Sequence, residues 1–212
     1  MDEQEIQRIN RIQREFFSRI VDVFEPPLPK NVPKRLRIIV SSADIKKGDI
    51  VLDIGTGTGI LVPIIHKYAP GKIYACDLSE AMLKTLKENY PYAKTIAADT
   101  RDLTLPDSSI DVIFMNASYP NIVDKKGAFS NIGRMMKRGG RFVISHPMGK
   151  EFIGLLKDKS PFPLDKFPNK EEAISLFERF GFQIKKFQDD PELYILVGLK
   201  TKPLKCPSLQ KN

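Results

Sequence analysis

The N-terminal part of the chain spaces its apolar residues as helices do. From residue 3 to residue 24, apolar side chains recur every three or four positions between polar ones, which predicts an amphipathic helix that ends before Pro26. After a Pro-rich connector, the apolar residues from Leu36 to Val40 predict a second helix. The sequence Lys47-Gly48-Asp49 then favours a turn into the first strand.

Strand-like and helical patterns alternate through the middle of the chain. Helical patterns lie at 59–68, 79–89 and 124–137. Apolar strand-like runs lie at 50–54, 72–77, 94–98, 110–115 and 141–145. This alternation is typical of parallel βαβ units. Because the runs at 50–52 and 112–115 are continuously apolar, we expect the sheet to be buried on both faces.

The last part of the chain has a different pattern. A helix is predicted at 170–180 with Gly181 as its C-cap, followed by strands at 182–188 and 193–199. The turn at Asp189-Asp190-Pro191 indicates that these two strands pair antiparallel. The predicted fold is therefore α/β and doubly wound, with a mostly parallel seven-stranded sheet, a C-terminal antiparallel hairpin and helices on both faces.

The same patterns suggest how the chain is divided. We predict an N-terminal helical cap or lid over residues 1–35, one main domain over 36–200 and a flexible tail over 201–212. The helix at 3–24 and the segment 147–169, rich in Phe, Pro and Lys, are both candidate lids. The helix could instead pack on the sheet or on a second subunit, so a monomer and a homodimer both remain open.

Composition narrows the class of protein. Of 212 residues, 42% are hydrophobic and 28% charged, as in a globular protein able to bury a sizeable core. No apolar run has the length of a membrane span, and the polar start does not resemble a signal peptide, so we expect a cytoplasmic protein without membrane contact. With Cys76 in a strand and Cys206 in the tail, we expect reduced thiols, no disulfide and no metal.

The formal net charge of +8 raises the question of nucleic-acid binding. Lys and Arg are spread along the chain and interleaved with acidic residues in most places, rather than gathered in one block. We therefore interpret the charge as a lysine-rich solvated exterior, with a nucleic-acid surface as the alternative.

The first candidate functional residues along the chain form a glycine-rich turn. Asp53-Ile-Gly55-Thr56-Gly57-Thr-Gly59 follows an apolar strand and precedes a helical pattern, so its glycines allow the backbone to approach a ligand closely. The fingerprint of dinucleotide enzymes would need a third glycine where Ile60 stands. The turn thus indicates a nucleotide-like cofactor other than a dinucleotide.

This turn resembles the first motif of the class I S-adenosylmethionine-dependent methyltransferases, an acidic residue followed by Gly-x-Gly-x-Gly. The resemblance implies that S-adenosylmethionine is the cofactor and S-adenosylhomocysteine the product. It places Asp53 near the methionyl ammonium, with Gly55, Thr56, Gly57 and Gly59 forming the turn against the cofactor. A carboxylate suits a sulfonium zwitterion, whereas it would repel a pyrophosphate.

Two further stretches continue the resemblance. Asp77 ends the next strand, where a carboxylate can accept both ribose hydroxyls. Leu78 and Met82 follow it in the family pattern, with Leu78 expected against the adenine. By the same resemblance, Asp99 meets the adenine amino group and the backbone of Thr100 meets the ring. These motifs, together with the alternating strands and helices that the family has, cover residues 36–146.

The methyl acceptor should face the loops after the fourth and fifth strands. Asn116 is our candidate for a contact to the methionyl part of the cofactor, with a turn-forming role as the alternative. Tyr119 is a candidate catalytic residue because Asn116-x-x-Tyr119 is similar to the Asn-Pro-Pro-Tyr motif of nitrogen methyltransferases, although Ala117 and Ser118 replace both prolines. His146 is a candidate general base, with a structural or substrate-contact role as the alternative.

The stretch from Gly139-Gly140-Arg141 to His146-Pro147, with Phe16-Phe17 and Arg35-Leu36, resembles small-molecule methyltransferases related to the quinone-pathway enzymes. This resemblance implies methyl transfer from S-adenosylmethionine to a small molecule. An RNA or protein methyltransferase and a noncatalytic S-adenosylmethionine-binding subunit are the alternatives. A contiguous basic face beside the cofactor site would favour the RNA or protein enzyme.

Overall fold

The strands and helices follow the predicted alternation. The computed structural model describes residues 1–201, so Cys206 and the predicted tail from residue 202 onward lie outside the described residues. The strands are β1 (Ile50–Ile54), β2 (Lys72–Asp77), β3 (Lys94–Ala97), β4 (Ile110–Asn116), β5 (Met136–His146), β6 (Phe182–Asp190) and β7 (Leu193–Lys200). The helices are α1 (Glu3–Arg19), α2 (Val32–Ser41), α3 (Val62–His66), α4 (Glu80–Asn89), α5 (Lys125–Met135), α6 (Phe152–Lys157) and α7 (Lys170–Glu178).

Within residues 1–201 the strands form one seven-stranded sheet in the order β3-β2-β1-β4-β5-β7-β6. Strands β1 to β5 pair in parallel, and β7 lies antiparallel to both β5 and β6. The predicted fold class is confirmed. Since β1 is followed by β2 on one side and β4 lies on its other side, the strand order reverses between β1 and β4. Such a switch point opens a crevice at the carboxyl ends of parallel strands.

The core lies on both faces of the sheet, as the continuous apolar runs predict. Successive residues of β4 alternate between the faces: Val112 and Phe114 pack with α2 and α3, whereas Ile113 and Met115 pack with α5 and α7. All four side chains are fully buried. Helices therefore cover the two faces and leave the strand ends as the place where a ligand can enter.

Several boundaries differ from the sequence-based predictions. The helix predicted over 3–24 ends at Arg19, and Val21–Phe24 forms a separate 3-10 turn. This break brings the carbonyl of Phe24 to Thr58, whose Oγ1 donates to it at 3.3 Å. The contact is tertiary, so local periodicity could not reveal it. The division drawn at residue 35 also falls inside α2.

The other differences have local causes. The helix predicted at 59–68 is reduced to Val62–His66, because the Gly-rich turn continues as tight turns before Pro63 starts the helix. Strand β5 begins at Met136, five residues before the predicted start, and α5 ends at Met135 rather than at residue 137. Helix α6, within the segment 147–169, is not predicted by the sequence.

Candidate functional site

A cavity of about 280 Å³ lies at the carboxyl ends of β1 to β5, beside the switch point between β1 and β4. Its size is near the lower end of the range for small-molecule sites. It brings together most of the residues that the sequence singled out. They are Asp53, Gly55, Thr56, Gly57, Asp77, Leu78, Met82, Asp99, Thr100, Asn116 and His146.

The glycine turn forms the floor of the cavity. Gly55 has a φ of +64°, and a Cβ there would lie 2.3 Å from the Cβ of Ser118, so no larger residue fits. Gly57 has a φ of +56° and meets nothing within 4 Å, because it faces the cavity. The amides of Gly55 and Thr56 donate to the carbonyl of Cys76 at 2.8 and 3.0 Å, which ties the turn to β2. The turn is therefore a cradle that any side chain at Gly57 would fill.

Asp53 ends up beneath this turn with only 2% of its surface exposed. Thr56 Oγ1 donates to its Oδ2 at 2.7 Å. Burial raises the pKa of Asp53 to about 7, the Thr56 hydrogen bond opposes the rise, and the nearby Asp77 carboxylate adds to it. A positive group in the cavity would favour the ionised carboxylate.

Asp77 presents its carboxylate at the end of β2. The amide of Gly57 donates to Oδ2 at 2.9 Å and the amide of Ser79 donates to Oδ1 at 2.9 Å. Burial raises the pKa of Asp77, and the backbone amides partly offset this effect. Both oxygens are thus held in fixed positions by the backbone, each with a further lone pair for a ligand hydroxyl.

Asp99 follows β3 and is contacted by α1. The side-chain amide of Asn10 donates to Asp99 Oδ2 at 2.6 Å, and the backbone amide of Arg101 donates to Oδ1 at 3.1 Å. The Arg101 guanidinium lies 3.6 Å from the same carboxylate and also pairs with Glu3 of α1. An amide NH₂ group therefore donates to the carboxylate that was predicted to accept an adenine amino group.

Helix α1 crosses the cavity at more points than Asn10. Gln13 is only 2% exposed, and its Nε2 donates to the carbonyl of Asn121 at 2.8 Å. Arg14 Nε donates to the carbonyl of Leu78 at 3.1 Å, and the hydroxyls of Ser18 and Ser79 lie 2.8 Å apart. Sequence reasoning missed these contacts. The signal was a polar residue, Gln13, on the apolar face of an amphipathic helix, where a buried amide needs a partner.

A further part of the cavity lining is apolar and aromatic. It comes from α1, from the 3-10 turn that follows it, from the loop after β5 and from α6. The residues concerned are Phe17, Phe24, Pro147, Met148 and Phe152. None of these five was predicted individually as a site residue, although both segments were predicted as lids.

Two predicted site residues lie elsewhere. Tyr119 is 3% exposed and stacks on Phe167 at 5.8 Å, with Lys125 4.7 Å from its ring centre, so it belongs to the core rather than to the cavity lining. Burial raises the pKa of the Tyr119 phenol. Gly59 packs against Leu86 of α4, outside the lining.

Asn116 and His146 lie at the ends of neighbouring strands β4 and β5 and both reach the cavity. Ser145 Oγ donates to Asn116 Oδ1 at 3.0 Å, which leaves the Asn116 NH₂ group free to donate to a ligand. Through residue 201, no group of three or more His, Cys, Asp or Glu side chains could hold a metal ion. No helix in this part of the chain is long and apolar enough to cross a membrane.

The charges of the cavity fit a cationic cofactor. Three carboxylates, Asp53, Asp77 and Asp99, line it, and no Lys or Arg of residues 1–201 does, although the chain carries a net charge of +8. A sulfonium and an ammonium group would relieve the repulsion among these carboxylates, whereas a phosphate would increase it. The open space above Gly57 supplies the room that such a cofactor needs.

Comparison with known proteins also indicates a methyltransferase. Residues 52–144 match the model of a methyltransferase domain. The chain is 37% identical over 117 residues to a demethylmenaquinone methyltransferase of Paenarthrobacter aurescens, covering 53% of this chain and 45% of that protein. It is 26% identical over 176 residues to the ubiquinone/menaquinone biosynthesis C-methyltransferase UbiE of Campylobacter jejuni, covering 68% of this chain and 75% of that protein.

A solved structure supports the fold. A SAM-dependent methyltransferase from Aquifex aeolicus superposes with a TM-score of 0.71 at 20% identity, over 87% of this chain and 98% of that one. The matched segment in the Paenarthrobacter protein amounts to about half of that relative's length, 45%. The carboxylate-lined cavity, the sheet order and these matches agree: residues 52–144 form a methyltransferase domain of the class I S-adenosylmethionine-dependent type, with S-adenosylmethionine as the cofactor.

Proposed function

We propose that this protein transfers a methyl group from S-adenosylmethionine to a small apolar molecule. The observation that carries the proposal is a cavity lined by three carboxylates, which hold the cofactor in this proposal, and by aromatic side chains, which form the acceptor side. No Lys or Arg among residues 1–201 lines it. Such walls suit an uncharged ring or chain of small size. Bound in the cavity, S-adenosylmethionine supplies a methyl group carried on a positively charged sulfur.

The residues of the cavity take the following roles in this proposal. Asp53 binds the methionyl ammonium, and Asp77 accepts hydrogen bonds from the two ribose hydroxyls. Asp99 and the backbone of Thr100 bind the adenine edge. Leu78 and Met82 pack on the adenine ring, and the free NH₂ group of Asn116 donates to the methionyl carboxylate. The hydrogen bonds that orient Asp77 and Asn116 support these assignments because the groups are held before a ligand arrives.

The aromatic walls favour a small-molecule acceptor over RNA or protein. Phosphate backbones need neighbouring Lys and Arg side chains, and the lining of the cavity offers only carboxylates as charged groups. The Paenarthrobacter relative is named a demethylmenaquinone methyltransferase, which makes reduced demethylmenaquinone a reasonable first acceptor to test. Methyl transfer itself needs mainly alignment and exclusion of water, which an enclosed apolar pocket provides.

The test is a transfer assay with S-adenosylmethionine labelled in its methyl group. We expect label to enter reduced demethylmenaquinone or another small apolar acceptor of a screened panel, and not to enter total RNA or denatured protein. Label in RNA or protein alone would show that the acceptor class is wrong. Binding of S-adenosylmethionine by calorimetry without transfer to any acceptor would favour a noncatalytic subunit.

Residues 1–35 form, in this proposal, a lid over the cofactor. The contacts from α1 to Asp99, Asn121, Leu78 and Ser79 support a lid, because the first three residues line the cavity and Ser79 follows Leu78. A helix that only stabilised the fold would have no need to cover these positions. Whether the protein is a monomer or a homodimer stays a prediction.

Loosening the lid should speed release of the cofactor. We expect Gln13→Ala to raise the dissociation rate of S-adenosylmethionine about fivefold or more, because it removes a buried hydrogen bond worth about 1 kcal/mol and leaves the Asn121 carbonyl unpaired. Stopped-flow displacement measures this rate. The control is Arg11→Ala on the exposed face of α1, which should leave the rate unchanged. Equal rates for both variants would mean that α1 does not close over the cofactor.

A further inference from the structure

His146 ends β5 with its ring on the acceptor side of the cavity. The residue is 4% exposed, and its ring packs against Phe152 at 5.3 Å and Phe167 at 5.8 Å. Packing on two sides fixes the orientation of the ring. The two ring nitrogens therefore have fixed and different surroundings, and each can be assigned a role.

The first nitrogen, Nδ1, faces a donor. The backbone amide of Met148 donates to it at 3.2 Å. A nitrogen that accepts a hydrogen bond carries no proton, so the neutral ring has its proton on Nε2. Burial lowers the pKa of His146 to about 4, so the ring is neutral at physiological pH.

The second nitrogen, Nε2, has no hydrogen-bond partner among residues 1–201. It is also not fully buried, because the only fully buried unpaired side-chain nitrogen or oxygen among these residues is Arg101 Nε. Since Nε2 is not sealed and His146 lines the cavity, the Nε2–H group is available to a bound molecule. A general base would need the opposite arrangement, with Nε2 unprotonated and Nδ1–H facing the Met148 amide, two donors in opposition.

The other ionisable groups of the cavity belong to its cofactor end. Asp53 is bonded to Thr56, Asp77 to Gly57 and Ser79, and Asp99 to Asn10. The remaining group is Cys76, whose Sγ donates to the carbonyl of Ala98, and burial raises the pKa of that thiol. In the described part of the chain, the acceptor side of the cavity thus offers a proton donor and no side-chain base.

We propose that His146 acts as a neutral hydrogen-bond donor, through Nε2–H, to an oxygen of the methyl acceptor. The acceptor is then a small apolar molecule that carries an oxygen, which the Nε2–H group holds. This inference rests on the proposed function and adds to it the role of one residue and an oxygen on the acceptor. A donor that is preorganised in a mostly apolar cavity stabilises charge that develops on such an oxygen.

The chemistry balances without a base from the protein. A pair of electrons on the acceptor forms the new bond to the methyl carbon, and the methyl–sulfur bond breaks with its electron pair left on sulfur. The proton that the methylated atom loses passes to solvent as the product leaves. His146 keeps its proton throughout, and its hydrogen bond orients the acceptor.

The tautomer can be measured directly on the full chain. The sequence has two histidines, His66 and His146, so a two-bond ¹⁵N–¹H correlation spectrum of histidine-labelled protein is readily assigned with a His66→Gln variant. We expect His146 to show an unprotonated Nδ1 and a protonated Nε2, unchanged from pH 5.5 to pH 8. A protonated Nδ1, or a titration near pH 6.5, would overturn the proposal.

Matched substitutions separate a donor from a base. Glutamine can place an amide N–H near the position of Nε2 but cannot take up a proton, whereas alanine supplies neither. With reduced demethylmenaquinone as the probe, we expect His146→Gln to keep kcat/KM within about fivefold of the unaltered protein and His146→Ala to lose about 10²-fold. Equal losses in both variants would overturn the donor role.

Calorimetric binding of S-adenosylmethionine distinguishes this inference from the proposed function. All His146 variants should bind the cofactor as the unaltered protein does, because none of the proposed cofactor contacts involves the ring. If the unaltered protein binds the cofactor but methylates no acceptor that carries an oxygen, the acceptor part of this proposal is overturned. In that case the NMR spectrum still decides whether His146 is a donor.

Discussion

Replacing Asp77 with alanine is expected to weaken S-adenosylmethionine binding by at least about 10²-fold. In the proposed site this carboxylate accepts both ribose hydroxyls, and the amides of Gly57 and Ser79 already orient its oxygens. Two hydrogen bonds to a charged group are worth about 3 kcal/mol or more together, which corresponds to that factor. Isothermal titration calorimetry measures it directly.

The control for this experiment is Asp107→Ala. Asp107 is a carboxylate with 74% of its side chain exposed. It precedes β4 and so lies at the amino ends of the parallel strands, opposite the ends that form the cavity. Its removal should leave cofactor affinity unchanged, and circular dichroism should show both variants folded. If the affinity of Asp77→Ala equals that of Asp107→Ala, the ribose site is not at the end of β2.

Replacing Asp53 with asparagine is expected to stabilise the protein without cofactor at high pH while weakening cofactor binding. The folded-state pKa of Asp53 is about 7, above its ordinary value of 3.8. Between these values the unfolded chain has released a proton that the folded chain retains, so the free energy of unfolding falls as pH rises through this window. Above pH 7 the full loss of about 2–4 kcal/mol is present, and asparagine removes it.

Urea unfolding of the two proteins at pH 4 and pH 8 measures this effect. The free energies of unfolding should be similar at pH 4 and should differ in favour of Asp53→Asn at pH 8. Asparagine can still accept the Thr56 hydrogen bond, so the packing of the turn is kept. The control Asp107→Asn should show no such growth in the difference. A constant difference across this pH range would mean that Asp53 titrates at its ordinary pKa.

The same variant links stability to function. Asp53→Asn should bind S-adenosylmethionine about tenfold or more weakly, because the carboxylate no longer attracts the methionyl ammonium. A binding site can keep a buried charge that destabilises the fold because the charge binds the ligand. A substitution that removes the charge then stabilises the protein and lowers its affinity. Unchanged affinity would place the ammonium elsewhere in the cavity.

The position of the cavity in the fold could be predicted from the sequence because its signals are local. The acidic residue and glycines of the first turn follow directly on a strand, so strand periodicity also determines where the turn lies. Asp77 and Asp99 end the next two strands, and parallel strands bring their carboxyl ends to one edge of a sheet. The cavity lining includes eleven of the thirteen predicted site residues.

Tyr119 illustrates why the remaining assignments could not be made from the sequence. It follows Asn116 by three residues, yet a short 3-10 turn at Tyr119–Asn121 directs its ring toward Phe167 and Phe129 instead of the cavity. That direction depends on packing partners far away in the chain. Sequence spacing gives no information about them.

By itself, the sequence determined the order of strands and helices, the fold class, the glycine turn and the carboxylates at the strand ends, because each follows from near neighbours in the chain. Only the tertiary structure decided that α1 lies across the cofactor side, that Tyr119 belongs to the core and that His146 turns Nδ1 toward the Met148 amide. Those features depend on contacts between distant segments and on single hydrogen-bond directions, which residue periodicity does not encode.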